Sequence, residues 1–323
     1  MSIAFKNTIV HILDLSAGHH ILSARNLLLE DEIEAFITKH INNLFENNEV
    51  SKATFKEDSD VLQTISPYSD EKFHEISCSL ADKFFNYMTN YDLIPSGDLI
   101  VSSFERNGEN FLAIIKLNYK EEFTHHIENN DLGGTAQIIK HKSIFSSKKI
   151  DEAVIINIDT FDVWLLDKSK EKYLPLLLDI ENHLSVKEKL AVVEQITNEV
   201  IEQHFANPIE AITTLKSNIA ESIFESSSVP ITEVIKETFK EYEQVCEECM
   251  TKIEECGFKD ETITLSNPKE AKKYSSHKLK TNTGIEIKLP TDMIQNPNFI
   301  EFINNPDGTI SIMIKNVGQI INK

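Results

Sequence analysis

The residues able to do chemistry here are paired histidines, one group of cysteines, many carboxylates and two clusters of lysine. His19-His20 and His125-His126 are adjacent in sequence. In a strand, neighbouring side chains point to opposite faces, so neither pair holds one ion by itself. A metal or hydrolytic site at His125 and His126 would need a further group such as Asp131. Cys246, Cys249 and Cys256 follow a C-x2-C-x6-C spacing. Paired zinc cysteines need a turn between them, and Glu247-Glu248 supplies none. The spacing predicts one helix face carrying three small buried hydrophobes. His183 and His204 flank a helix and have no carboxylate or thiol partner evident in sequence. Carboxylates abound, but their spacing selects no acid–base pair. The chain also lacks a G-x-x-x-x-G-K-[ST] loop, a G-x-G-x-x-G turn and a G-x-S-x-G elbow. The reading is non-enzymatic, with no catalytic residue, metal or cofactor.

The lysines carry the alternative. Fifty-two acids stand against 32 bases, a net charge of −20. Such a chain repels a phosphate backbone at long range, so direct DNA contact requires a local basic patch. One candidate stretch holds Lys269, Lys272, Lys273, Lys278 and Lys280 against Glu270 alone. A second holds Lys140, Lys142, Lys148 and Lys149 with no acid between them. Conversely, 12 acids and four lysines fall between Glu221 and Glu261, a region suited to a basic protein partner.

These groups must be positioned by two kinds of element. A length of 323 residues favours two domains, and we place them at 1–180 and 181–323. The first half alternates with period two. Strands are expected over Ile3–Leu15, His20–Asn26, Thr135–Lys142, Ala153–Ile158, Phe161–Asp167 and Lys172–Leu178. Asn107-Gly108 predicts a tight hairpin between Leu99–Arg106 and Glu109–Leu117. Helical spacing appears at Asp31–Phe45 and Tyr68–Tyr91, with a polar loop at Glu46–Ser59 between them. Past Asp179 the period becomes 3.6. Ser185-Val-Lys-Glu188 reads as a capping box, Asn207-Pro208 opens a second helix, and Pro230 introduces a long acidic one ended by Gly257. Strands return at Gly284–Leu289, Phe299–Asn304 and Thr309–Lys315, the last two joined by Asn305-Pro306-Asp307-Gly308. The fold class is α+β: an antiparallel N-terminal sheet with packed helices, then a helical region ending in a β-hairpin. Exposed hairpins and amphipathic helices make a homo-oligomer possible. No apolar run approaches the ~18 residues of a membrane span, and the opening residues have no signal-peptide core. A cytoplasmic protein is expected.

The tail strings Lys280-Thr-Asn-Thr-Gly-Ile-Glu-Ile-Lys and Glu301-Phe-Ile-Asn-Asn-Pro-Asp-Gly-Thr-Ile resemble the signature of the bacterial nucleoid-associated protein family (NdpA-like). The likeness covers most of the chain and is looser around Leu99–Leu117. It implies location at the nucleoid and association with DNA, direct or indirect. For some members it implies a link to type II topoisomerases, but it supplies no catalytic residue. The combined expectation is DNA binding with little sequence specificity through the two lysine clusters. The alternative is an acidic adaptor for a DNA-processing protein.

Overall fold

Two unbroken apolar runs, Phe111–Ile115 and Ala153–Ile156, form strands covered on both faces, which is why they do not alternate. The computed structural model describes all residues except 1, 92, 131–132, 145–148, 206–207, 259–260, 269–273, 275, 295, 297 and 320–323. The chain divides into two units, Met1–Ser185 and Val186–Lys323.

The first unit runs β1 (Ala4–Asp14), β2 (His19–Ile21), α1 (Asp31–Phe45), β3 (Ser51–Phe55), α2 (Asp60–Ile65) and α3 (Phe73–Asn90). It continues with β4 (Gly97–Arg106), β5 (Glu109–Asn118), β6 (Lys120–Asn130) and β7 (Gly133–Ser143). β8 (Glu152–Asn157), β9 (Val163–Asp167), α4 (Leu174–Leu177) and β10 (Ile180–Asn182) complete it. Eight of these strands form one antiparallel sheet ordered β10-β3-β9-β8-β5-β4-β1-β2. Alternate residues of β5 serve opposite faces. Leu112 and Ile114 meet Ile76, Leu80 and Phe84 of α3, while Phe111, Ala113 and Ile115 meet Ile37, Ile41 and Leu44 of α1. Asn107 and Gly108 take φ of 56° and 83°, as the β4–β5 turn requires. β6 and β7 leave this sheet and pair only with each other among the described residues.

The second unit begins with α5 (Val186–His204) and α6 (Ile209–Ser226). β11 (Ser228–Pro230), α7 (Ile231–Thr238), α8 (Glu243–Glu255) and β12 (Thr262–Thr264) follow. Leu190, Val200, Ile219, Ile235, Phe239, Cys249 and Ile253 share its core. The chain then makes two hairpins, β13 (Ser276–Lys280) with β14 (Glu286–Pro290), and β15 (Ile300–Asn304) with β16 (Ile310–Ile314). The one-turn helix α9 (Thr291–Ile294) connects them. Gly257 adopts φ 83° and its N–H reaches the Glu254 carbonyl at 2.9 Å, closing α8 as expected.

Four local expectations need correction. Lys172–Leu178 is not a strand, because Pro175 starts the helix α4 there. The proposed loop at Glu46–Ser59 contains β3, which joins the sheet through Ala53 and its neighbours. The long helix after Pro230 is two helices, α7 and α8, parted around Phe239–Tyr242. Cys256 caps α8 and is exposed; only Cys249 of the three cysteines is fully buried.

Candidate nucleic-acid interface

Hairpin β13–β14 sorts its side chains by parity. Leu279, Ile287 and Leu289 face a small core shared with Ile294, Ile300, Phe302 and Ile312. The other face must then turn outward, and it carries Lys278, Lys280, Glu286 and Lys288, all exposed. Lys278 stands directly opposite Lys288, and Lys280 opposite Glu286. Like charges facing each other across a ladder are unfavourable without an anion between them. The Lys280 Nζ lies 3.4 Å from Glu286 Oε1, with both side chains 71% exposed. A pair so exposed is worth little, and it leaves the lysine free to reach elsewhere. Three ammonium groups against one carboxylate thus sit on a strand ladder backed by its own core. Gly284, at φ 90°, lets the connection close with its N–H on the Thr281 carbonyl.

The other lysines singled out by sequence are in different circumstances. Lys269, Lys272, Lys273 and Lys148 lie outside the described residues. Lys149 is exposed between β7 and β8. Lys140, on β7, contacts Glu121 Oε2 across the hairpin at 3.1 Å. Lys142 is a clamp: its Nζ donates to Asp14 Oδ2 at 2.7 Å and to Ser16 Oγ at 2.9 Å, and it lies 5.1 Å from the Tyr119 ring centre. The hydrogen bond from Lys142, then that from Ser16, hold the Asp14 carboxyl down to about 2. Lys142 is therefore engaged, whereas the Lys140 pair, 63% and 68% exposed, is as weak as that of Lys280.

Other chemistries fare differently. His125 and His126 are exposed on opposite faces of β6, while Asp131 lies outside the described residues. Among the described residues no three His, Cys, Asp or Glu side chains could hold a metal ion. Burial pushes the Cys249 thiol up to about 12, which suits a core residue and not a zinc thiolate. His11 is buried with Ser77 at 3.1 Å from Nε2. The Ser23 N–H donates to His11 Nδ1 at 3.2 Å, so Nε2 carries the ring proton and donates to Ser77 Oγ. Ser77 in turn donates to the His74 carbonyl at 2.8 Å. That direction is opposite to the one a histidine base needs to activate a serine.

A second buried polar group lies at the end of β5. Lys116 and Glu152 are buried 3.2 Å apart, and Asn118 accepts from Lys116 while donating to Glu152 Oε1 at 2.7 Å. Tyr173 donates to the other Glu152 oxygen. Burial pushes the Lys116 amine down and the Tyr173 hydroxyl far up. The adjoining cleft, lined by Leu93, Pro95 and Ser169 among others, holds about 160 Å³. Every member of this network is already partnered, which makes it a brace between strands and the segment before α4.

With these sites in view, comparison decides the family. The model of the family described as nucleoid-associated protein YejK matches residues 9–322. The chain belongs to that family. The match spans both units, so the likeness carried by the tail strings extends over nearly the whole sequence. As a member of the YejK family the protein is a bacterial nucleoid-associated protein, and its place is the nucleoid within the cytoplasm. No curated protein matches the chain. Among the described residues no helix is long and apolar enough to cross a membrane.

Sequence reasoning passed over Lys288, the partner of Lys278. The signal was present, since Ile285, Ile287 and Leu289 alternate with Glu286 and Lys288. What was missing was the opposing strand: Ser276–Lys280 reads as a charged stretch until it is paired with Glu286–Pro290.

Proposed function

We propose that the protein is a non-enzymatic nucleoid factor that contacts DNA directly through the lysine face of β13–β14, with little sequence preference. The supporting observation is the exposed ladder of Lys278, Lys280 and Lys288, anchored from behind by Leu279, Ile287 and Leu289. Lysine ammoniums on an anchored ladder neutralise phosphates and release counterions, a term that carries no base information. Composition favours the same reading. The chain has two arginines, Arg25 and Arg106, although arginine makes the commonest contact to guanine edges. Arg106 lies over the Phe45 ring, 4.1 Å from its centre. Lys269, Lys272 and Lys273 precede β13 in sequence and would add charge to the same contact.

The test is a salt titration of binding to duplex DNA of mixed sequence. Wild type is expected to show a steep linear loss of log affinity with log salt. Changing Lys278, Lys280 and Lys288 together to glutamine should flatten that slope by about 2 to 3, at roughly 0.9 per phosphate contact. An unchanged slope rejects this face as the DNA contact.

A second reading has its own support. Glu233, Glu237, Glu241, Glu243 and Glu247 are exposed along α7, α8 and their junction, beside the half-exposed Tyr242. This surface would steer a basic protein, and a type II topoisomerase is the partner that family likeness suggests. Binding of purified topoisomerase in the presence of nuclease tests it. Loss of the complex on DNA digestion would reject an adaptor contact.

A further inference from the structure

β6 and β7 form an arm that the rest of the first unit does not cover. Every described residue from Lys120 to Glu128 and from Gly134 to Lys142 is exposed. Among them are Phe123 at 71% and Ile138 at 80%, with Ile127 and Ile139 also exposed. Two strands without a covering layer are marginal in water, and uncovered strand edges invite pairing. Phe123, His125, Ile127, Ala136 and Ile138 share one face, as the register Phe123↔Lys140, His125↔Ile138 and Ile127↔Ala136 requires.

The occupant can be read from the charge order along β6. In an antiparallel pair, opposed residues must both point their backbone groups toward the partner or both away. A two-fold axis between identical strands must therefore pass through a residue, not between two. With the axis at Thr124, Lys120 meets the second copy's Glu128, Glu122 meets its His126, and Thr124 meets itself. Phe123 then opposes His125 and lies diagonal to Ile127, within reach of an aromatic side chain. Moving the axis to His125 opposes Glu122 with Glu128, and moving it to Phe123 opposes Lys120 with His126. The edge of β7 has no such match, because its described charges, Lys140 and Lys142, are both positive and nothing acidic shares the strand. DNA fits the arm poorly as well. β6 carries Glu121, Glu122 and Glu128, so Lys140 has a carboxylate beside it, and Lys142 is held by Asp14 and Ser16.

We propose that β6 pairs antiparallel with β6 of a second copy about a two-fold axis at Thr124, making a four-stranded sheet from two arms. The contact is isologous, so each charge pair occurs twice and every substitution is felt twice. This inference is independent of the lysine face on β13–β14.

The experiment is analytical ultracentrifugation of the full chain over a concentration series. Wild type should dimerise. Lys120→Glu and Glu128→Lys each place like charges opposite one another and should weaken the dimer about tenfold to a hundredfold. Both positions are exposed, so circular dichroism of the monomers should not change. An equimolar mixture of the two variants should recover association, because both cross-strand pairs of the mixed dimer then join opposite charges. The Lys120→Glu/Glu128→Lys double variant should recover it alone. A monomeric wild type, or a dimer indifferent to both reversals, overturns the proposal, as does weakening that neither the mixture nor the double variant repairs. Arm-dependent association that appears only with added DNA also overturns it.

Discussion

Hairpins β6–β7 and β13–β14 both carry lysines and β-branched residues, yet their surroundings differ. β13–β14 buries one face against Ile294 and Ile300, so its lysines project from a fixed ladder. β6–β7 buries neither face, and it is secured where the chain leaves β5 through Lys116, Asn118 and Glu152. The comparison teaches that lysine count is a poor guide to a phosphate site. What matters is whether the ladder has an apolar back and how many carboxylates share its surface with the cations.

The strongest way to break this contrast is at the polar root. Lys116→Met strands the Glu152 carboxylate in the interior, and urea unfolding should report a loss of about 3–5 kcal/mol. A loss below about 1 kcal/mol would mean that the buried pair does not brace the arm's base. A middling effect separates the two hairpins directly. Leu289→Ala should cost about 2–3 kcal/mol by opening the small core, whereas Ile138→Ala, measured at monomer concentrations, should stay within about 0.5 kcal/mol. Equal costs would erase the distinction between an anchored and an uncovered ladder.

The smallest effect concerns acid. Because Asp14 is held below its unfolded value, its contribution is full above about pH 4 and is lost as pH falls toward 2. Lys142→Met removes the largest cause of that depression. Thermal unfolding between about pH 4 and 2 should then depend less steeply on pH, with little change near neutrality. A variant whose acid limb overlays that of wild type would show that the Lys142 clamp does not form in solution.

Much of the architecture was legible because local signals agreed with it. Ile33, Ile37, Ile41 and Leu44 announced α1, and Asn107-Gly108 announced the β4–β5 turn. β6 escaped because Lys-Glu-Glu-Phe-Thr-His-His-Ile has no apolar alternation, and an uncovered strand does not need one. The junction between α7 and α8 was hidden for the opposite reason. Ile235, Phe239 and Cys246 keep one apolar face across it, so periodicity continues where the helix does not. For the candidate site, lysine identity was readable but lysine engagement was not. Lys142 meets Asp14 across 128 positions of chain, a relation that only the folded sheet supplies.

One residue, Tyr119, separates β5 from β6. Its N–H bonds the Ser96 carbonyl at 3.0 Å and its hydroxyl donates to Asp98 at 2.7 Å, beside Gly97, where a β-carbon would collide with the Leu117 carbonyl. Tension on this side of the arm therefore enters through the interior strand β5, which is laddered on both sides by β4 and β8. A tether rooted in that way transmits pulling force to many hydrogen bonds at once, a useful property in a protein of the nucleoid.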